Sequence, residues 1–150
     1  MNTRTSVSII RNFVFVKNPH HAFNLYNVMG MFHEISDYPS PGKLTVFTTH
    51  KIITIKNVPD FLDKFANSEN FTSKLFPCGY SYVTRSFGQH SGIKFILNFK
   101  YLLDCRVDEY DTENNKYGVE FLFKHDKIYV LPCESTDTAS DFIDEFADAH

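Results

Sequence analysis

The chain repeats a pattern of residues at a fixed distance, and this repeat constrains the fold more than any other feature of the sequence. The first copy reads Val46-Phe47-Thr48-Thr49-His50-Lys51-Ile52-Ile53, and the second reads Leu122-Phe123-Lys124-His125-Asp126-Lys127-Ile128-Tyr129, so that Phe47 and Phe123 are 76 residues apart. The segment 61–66 is echoed by 142–147, which lies 81 residues later. Two copies predict one pseudo-symmetric domain over residues 1–150, with repeat one at about 6–76 and repeat two at about 80–150. A chance match between two amphipathic hairpins is the alternative.

Apolar periodicity and turn residues predict the same order of elements in both copies, namely strand, helix, strands and helix. The predicted strands cover residues 7–16, 43–49, 51–57, 81–87, 105–111, 117–124 and 127–131. The predicted helices cover residues 19–31, 59–65 with an extension to 75 left open, 93–103 and 139–149. This order predicts the α+β class, with an antiparallel sheet.

Composition and charge exclude several classes of protein. Hydrophobic residues make up 43% and charged residues 22%, as in globular chains. No apolar run reaches 18 residues, the start does not resemble a signal peptide, and three cysteines fit neither a disulfide framework nor zinc spacing. We therefore expect an intracellular protein, in the nucleus or the cytoplasm, that spans no membrane and has no cofactor.

The net charge of −3 is unevenly distributed. Residues 1–76 hold eight Lys and Arg against five Asp and Glu, whereas residues 77–150 hold seven against thirteen. Six of the acids lie between Glu134 and Asp148, a pattern typical of a solvated helix. The overall acidity therefore does not exclude a polyanionic partner, although it argues against a histone-like binder.

The hairpin strands are apolar on both faces. In the first hairpin, Leu44, Val46 and Ile52 alternate with Phe47, Ile53 and Ile55. A sheet of this kind normally lies between two layers of cover. If the helices all pack on one side, the other side is an open apolar recognition surface. Closure by dimerisation, or by the sheet curling onto itself, is the alternative.

Three stretches carry a resemblance to a known family. They are Arg11-Asn12-Phe13-Val14, Thr45-Val46-Phe47 with Lys51-Ile52-Ile53, and Phe121-Leu122-Phe123 with Lys127-Ile128-Tyr129. They are similar to the Gln-Asn-Ile-Val strand and the Leu-Ile-Phe-x-x-Gly-Lys-x-Val hairpins of the TATA-box-binding protein family. The resemblance implies a saddle, which is a curved antiparallel sheet with a pseudo-twofold internal repeat and helices on one face.

The resemblance also implies a function, which is recognition of the A·T-rich minor groove through the concave sheet, without catalysis, in transcription initiation. Phe47 and Phe123 would be wedges between base steps, Asn12 would bond minor-groove acceptors, and Lys51 and Lys127 would face phosphates. The remaining residues implied for the concave face are Phe32, Ile53, Ile55, Phe121 and Tyr129. The implied partners are A·T-rich double-stranded DNA and a transcription factor IIB-like or polymerase-associated protein.

Departures from the family pattern leave other hypotheses open. His50 and Asp126 replace the glycine before each hairpin lysine, and Glu34, Asp108 and Glu109 would repel phosphates if they face the groove. These differences indicate a divergent member, with a viral origin open. One alternative is an interaction module or homodimer that uses the apolar concave face to bind a protein. Another is an unrelated viral or parasite factor with an accidental repeat.

The sequence offers no support for catalysis. Two-histidine phosphoesterases carry His-x-Thr or His-x-Ser in each half, and neither His50 nor His125 is part of such a pattern. The adjacent His20 and His21, taken with His33, have no carboxylate spacing that favours a metal site. There is no phosphate-binding loop, and nothing pairs a cysteine with a histidine. We therefore predict a protein that is not an enzyme and holds no metal.

Overall fold

The computed structural model describes residues 7–17, 20–36, 42–68, 73–86, 91–111, 113–114, 116–133 and 135–149. The chain divides into two compact units, Met1–Lys100 and Tyr101–His150. The first holds eleven Lys and Arg against five Asp and Glu, a net charge of +6, and the second holds four against thirteen, a net charge of −9. We call them the basic unit and the acidic unit. The hypothesis of one domain over residues 1–150 stays a prediction.

Antiparallel strands make up most of the structure. They are β1 Val7–Ile10, β2 Phe13–Lys17, β3 His20–Asn24, β4 Val28–Ser36, β5 Lys43–Thr48, β6 Ile52–Lys56, β7 Tyr80–Ser86, β8 Ser91–Asn98, β9 Leu102–Asp111, β10 Lys116–Phe123 and β11 Lys127–Cys133. The helices are α1 Leu62–Ala66 and α2 Thr136–Ala149, and residues 73–75 form a further short helical turn. The predicted α+β class is therefore confirmed at this level, as antiparallel sheet with few helices.

The strands form three sheets. The basic unit contains β1-β2-β3 and the five-stranded sheet β6-β5-β4-β8-β7, and the acidic unit contains β11-β10-β9. The predicted hairpins 43–57 and 117–131 are confirmed as β5 with β6 and β10 with β11. The predicted strand 7–16 is a hairpin instead, because a two-residue turn at Arg11 and Asn12 divides it into β1 and β2.

Strand β2 shows why the small sheet β1-β2-β3 forms. Its sequence alternates Phe13-Val14-Phe15-Val16, and successive side chains of a strand point to opposite faces. Val14 and Val16 are buried in the core of the basic unit, whereas Phe13 and Phe15 point outward. Arg11, in the turn before β2, has φ 58, which is in the left-handed region that short hairpin turns use.

The five-stranded sheet is buried on both faces at its centre. One face packs in the main core with Met31, Val46 and Ile96. On the other face, the Phe32 ring meets the Phe47 ring edge-on and stacks on the Phe95 ring, with 5.5 Å between centroids in each pair. The central strands of this sheet, which are apolar on both faces, are thus covered on both faces. Neither Phe32 nor Phe47 lies on an open surface.

Helix α2 covers one face of the sheet in the acidic unit. Apolar residues recur at helical spacing, at Ala139, Phe142, Ile143 and Phe146. The Phe142 ring meets the Phe121 ring edge-on, with 6.1 Å between centroids. The helix begins after Ser135, whose hydroxyl accepts a hydrogen bond from the Thr138 amide at 3.1 Å. The predicted closing helix is confirmed, with a start three residues before Ala139.

Two predicted helices are wrong. Within the predicted helix 19–31, residues 20–24 form strand β3 and residues 28–31 begin strand β4, and the predicted start at Pro19 lies outside the described residues. The predicted helix 93–103 falls on β8 and the beginning of β9. Both segments contain many apolar residues, interrupted by polar ones, at spacings that fit a buried strand as well as a helix. Pairing of β4 with β8 over seven residues decides for the strand.

The predicted helix 59–65 is confirmed in a shorter form, as α1 Leu62–Ala66. The possible extension of this helix to residue 75 crosses residues 69–72, which lie outside the described residues.

Each predicted copy contains a three-stranded meander followed by a helix. The first is β4-β5-β6 with α1 and the second is β9-β10-β11 with α2.

Candidate nucleic-acid interface

The outward face of the sheet β1-β2-β3 exposes large apolar side chains. Ile10 is 58% exposed, Phe13 38% and Phe15 39%. They share one face for two reasons. Ile10 is the cross-strand partner of Phe13, and Phe13 and Phe15 are two positions apart on β2. We call these three residues the aromatic face. A cluster of exposed phenylalanines on one sheet is unusual and typical of a recognition surface.

The geometry leaves the two phenylalanine rings accessible. The centroids of Phe13 and Phe15 are 6.1 Å apart, with 36° between the ring planes. The cross-strand partners of Phe15 are Ser8 and Ala22, both small and both exposed. Since neither neighbour is large enough to cover the ring, a flat ligand can lie against it.

Asn12 lies at the edge of the aromatic face. Its Nδ2 donates to Oδ1 of Asn24 at 2.9 Å, and the same oxygen accepts a hydrogen bond from the Tyr26 amide at 3.0 Å. Asn24 is the cross-strand partner of Phe13, and the Tyr26 side chain two residues later is 43% exposed. Asn12 is therefore the one predicted site residue that lies beside this surface.

The charged side chains of the sheet that carries the aromatic face have one sign. Residues 1–33 contain no Asp or Glu, so the sheet β1-β2-β3 carries no acidic side chain. Arg11 lies in the turn before β2 and Lys17 at the last position of β2, and both are exposed. An acid-free run with alternating phenylalanines is the signal that sequence reasoning missed. The net charge of residues 1–76 does not reveal this run, because that sum also includes the five acids that follow residue 33.

Most of the other predicted site residues are core residues. Those that are at most 6% exposed are Phe32, Phe47, Ile53, Ile55, Phe121 and Phe123. Phe32 and Phe47 are brought together in the basic unit, whereas Phe121 and Phe123 belong to the acidic unit. Burial does not favour a wedge, which needs an accessible ring. The DNA-binding roles of these residues stay predictions.

The remaining predicted residues lie outside the core. Lys51 is exposed in the loop between β5 and β6, where its amide donates to the Thr48 hydroxyl at 3.0 Å. Lys127 and Tyr129 are half-buried on β11. Among the acids that could repel phosphate, Glu34 pairs with Lys43 at 3.3 Å, so that its charge is balanced locally.

An ionic cluster fastens α1 to the five-stranded sheet of the basic unit. Lys94 Nζ contacts Asp60 and lies 2.7 Å from Oδ2 of Asp63, and the Tyr82 hydroxyl donates to Asp63. Bonds from Lys94 and then Tyr82 lower the pKa of Asp63. Burial, followed by the bond to Asp63, raises the pKa of Tyr82 to about 12. Burial would lower the pKa of Lys94, but its bonds to the two carboxylates raise it overall. Lys94 and the two carboxylates neutralise one another, which indicates a structural role for the cluster.

His33 and Cys105 offer little catalytic chemistry. His33 is fully buried, its Nε2 donates to the Val58 carbonyl at 3.0 Å, and burial lowers its pKa. Burial, followed by the neighbouring Asp104, raises the pKa of the Cys105 thiol to about 11, which disfavours the thiolate. In the described ranges, no group of three or more His, Cys, Asp or Glu side chains could hold a metal ion.

No protein-family model, curated protein or solved structure matches this chain. The resemblance to the TATA-box-binding protein family therefore stays a prediction, and the function must be argued from the residues of the chain itself. No helix in the described part of the chain is both long enough and apolar enough to cross a membrane.

Proposed function

We propose that this protein is a non-catalytic nucleic-acid-binding protein that holds a single strand on the aromatic face of the basic unit. One observation carries the proposal. Two phenylalanine rings are exposed side by side on a sheet that has no acidic side chain, with one cation in the turn before the middle strand and one at the end of that strand. Exposed aromatic rings combined with a positive surround are the usual means of binding unstacked bases.

The rings and the cations act on different parts of the strand. Every base has a flat face, and stacking on an aromatic side chain contributes about 1–3 kcal/mol per base. Phe13 and Phe15 are spaced closely enough for successive bases to stack on them. Arg11 and Lys17 then lie where the sugar-phosphate backbone enters and leaves the sheet, and both attract phosphates.

The exposed residues favour a single strand over a duplex. In a duplex the bases are already stacked, so a side chain must be inserted between them at a cost of about a few kcal/mol. Phe13 and Phe15 lie on a sheet surface and are little more than one-third exposed, which suits stacking better than insertion. A·T-rich duplex DNA is therefore the rival ligand. The role in transcription initiation, with a transcription factor IIB-like or polymerase-associated partner, stays a prediction from the resemblance.

An internal repeat with a saddle-like, pseudo-twofold arrangement is part of the same proposal. The common order of strands and helix in the two meanders supports it. So does a matching hydrogen bond in each meander. The Thr49 amide donates to the Asn27 carbonyl at 3.0 Å, and the Lys124 amide donates to the Tyr101 carbonyl at 2.9 Å.

Fluorescence anisotropy of labelled oligothymidine tests the proposal. The variant is the double substitution Phe13→Ser with Phe15→Ser. The matched control is Leu103→Ser with Ile128→Ser, which removes two apolar side chains of the acidic unit that are 59% and 49% exposed. Loss of two stacked bases should weaken binding by about 2–6 kcal/mol, which is at least thirtyfold, and the control should bind like the wild type.

Circular dichroism establishes that each variant is folded. Equal losses in both variants, or no binding of the wild type to oligothymidine at low salt, would contradict the proposal. Tighter binding to an A·T-rich duplex than to the single strand would favour the minor-groove hypothesis. Self-association or capture of a protein, without any nucleic-acid binding, would favour the interaction-module alternative.

A further inference from the structure

A cleft lies at the turn that begins the aromatic face. It has a volume of about 270 Å³ and lies between the β1-β2 turn and helix α1. It is lined by Ile9, Arg11, Lys64, Phe65 and Ser68. The volume is just below the range of pockets that enclose drug-sized ligands, which indicates a small occupant.

Two cations face this cleft without an acidic counterpart. Arg11 comes from the hairpin turn and Lys64 from the exposed side of α1. No carboxylate in the described part of the chain pairs with either side chain. Asp63 precedes Lys64 but is bound to Lys94 and Tyr82. The cleft therefore attracts an anion.

The apolar lining strengthens that attraction. Phe65 is almost fully buried and Ile9 is half-buried, so one wall of the cleft is apolar. Charge interactions beside an apolar wall are less screened than those in open solvent. The planar guanidinium of arginine matches phosphate oxygens in pairs, and the lysine ammonium adds a second positive charge.

We infer that this cleft binds a phosphate group of the nucleic-acid strand, next to the first base that stacks on the aromatic face. The inference rests on the proposed function for the identity of the strand. Arg11 connects the two sites because it lines the cleft and lies two residues before Phe13. The cleft thus fixes the strand at one end of the sheet, while Phe13 and Phe15 receive its bases.

The backbone at Arg11 allows a clean variant. Its φ of 58 is in the left-handed region, which glycine adopts without a steric cost. Arg11→Gly therefore removes the guanidinium while retaining the turn. Lys64→Gln removes the second charge from an exposed helix position and keeps a good helix former. Lys116→Gln, at an exposed lysine of the acidic unit, is the control for loss of one charge.

The test is the salt dependence of oligothymidine binding. For single strands, the slope of log K against log salt becomes shallower by about 0.7 for each phosphate that the protein no longer neutralises. We expect the variant with both Arg11→Gly and Lys64→Gln to bind more weakly and to show a slope shallower by about 0.7. Lys116→Gln should keep the wild-type slope. A wild-type slope in the cleft variant would overturn the inference.

A second titration separates this inference from the proposed function. Inorganic phosphate is added to the free protein, and the NMR shifts of the Arg11, Lys64 and Ser68 amides are followed. If the wild type does not bind oligothymidine, the proposed function fails, and phosphate-dependent shifts at these amides would still support a phosphate site. Absence of shifts would overturn it. Shifts together with an unchanged salt slope would assign the cleft to free phosphate and overturn its role in strand binding.

Discussion

The basic and acidic units each contain a three-stranded antiparallel sheet, and the outward faces of those two sheets differ in chemistry. The outward face of β1-β2-β3 presents Phe13 and Phe15 and has no acidic side chain. In the acidic unit, the face of the sheet that lies away from α2 presents Ile128 beside the Arg106–Glu120 ion pair. Both faces expose apolar area, so apolar exposure alone does not identify a nucleic-acid surface.

Charge and ring chemistry separate the two faces. A polyanion meets a unit of net charge +6 at the first face and a unit of net charge −9 at the second. Ile128 is more exposed than Phe15, at 49% against 39%, but it has no aromatic ring on which a base could stack. The residues around the apolar side chains, and not the apolar exposure itself, therefore distinguish the two faces.

The largest effect on stability is expected in the cores of both units. Phe32 and Phe121 are fully buried, and each ring packs against another aromatic ring. Phe32→Ala and Phe121→Ala should each lower the free energy of unfolding by about 3–5 kcal/mol, because each leaves a cavity. Urea unfolding measures this loss.

The milder variants Phe32→Leu and Phe121→Leu keep much of the packing and serve for binding. Both should bind oligothymidine like the wild type, since neither ring belongs to the aromatic face. A folded leucine variant that lost affinity would break the distinction between buried and exposed phenylalanines. It would also support the hypothesis that Phe32 or Phe121 belongs to a DNA-binding concave face.

The ion pairs of the two units should differ in strength. The Lys94 side chain is 17% exposed and bonds to Asp60 and Asp63, whereas the Arg106 side chain beside Glu120 is 64% exposed. Lys94→Met should destabilise the protein by about 1–2 kcal/mol, a value reduced by the partial exposure of both carboxylates. Arg106→Met should leave the midpoint of urea unfolding unchanged. Equal shifts of the two urea midpoints would contradict the expected difference in strength between the two ion pairs.

Acid should destabilise the basic unit through His33. Burial lowers the pKa of His33, and its Nδ1 has no hydrogen-bond partner, so the folded protein favours the neutral ring. The unfolded chain takes up the proton near the ordinary pKa of about 6.5. Stability from this group is therefore fully present above about pH 6.5 and is lost as the pH falls toward the lowered folded value.

Urea unfolding at a series of pH values measures this dependence. His33→Gln keeps an amide that can donate to the Val58 carbonyl but does not titrate. We expect the loss of stability below about pH 6.5 to be shallower in His33→Gln than in the wild type. The same slope in both proteins would exclude His33 as the origin.

The smallest effect is expected at the turns. His125 and Asp126 have φ of 67 and 57, so the hairpin turn of the acidic unit holds two residues in the left-handed region. Asp126→Gly should raise the free energy of unfolding by about 1 kcal/mol, because glycine removes one steric cost. It should not alter oligothymidine binding, whereas Arg11→Gly, at the corresponding kind of turn in the basic unit, should weaken it. A destabilised Asp126→Gly protein would contradict the account of the turn.

Local sequence patterns predicted the elements whose neighbours lie close in the chain. The hairpins β5-β6 and β10-β11 follow from alternation around a short turn, and α2 follows from its 3.6-residue apolar spacing. Strands β4 and β8 could not be distinguished from helices. In each, apolar residues are interrupted by polar ones such as Glu34 and Lys94, at spacings that fit either element. The pairing of the two strands joins Gly30 to Leu97, residues far apart in the sequence.

The candidate site was harder to predict, for a related reason. The segment Phe13-Val14-Phe15-Val16 is apolar on both faces, and nothing local decides whether the valines or the phenylalanines face the core. The same ambiguity made the buried Phe47 and Phe123 equally good candidates for wedges. Asn12 was found only because the resemblance pointed to it. The absence of acids before Glu34 was visible in the sequence and could have selected the first sheet.

Photo-cross-linking tests the central claim most directly. A single strand of oligothymidine containing 4-thiothymidine is irradiated in complex with the wild-type protein, and the cross-linked peptides are identified by mass spectrometry. The account predicts cross-links in the peptide that contains Phe13 and Phe15, and their loss when both are replaced by serine. Cross-links confined to residues 101–150 would contradict it.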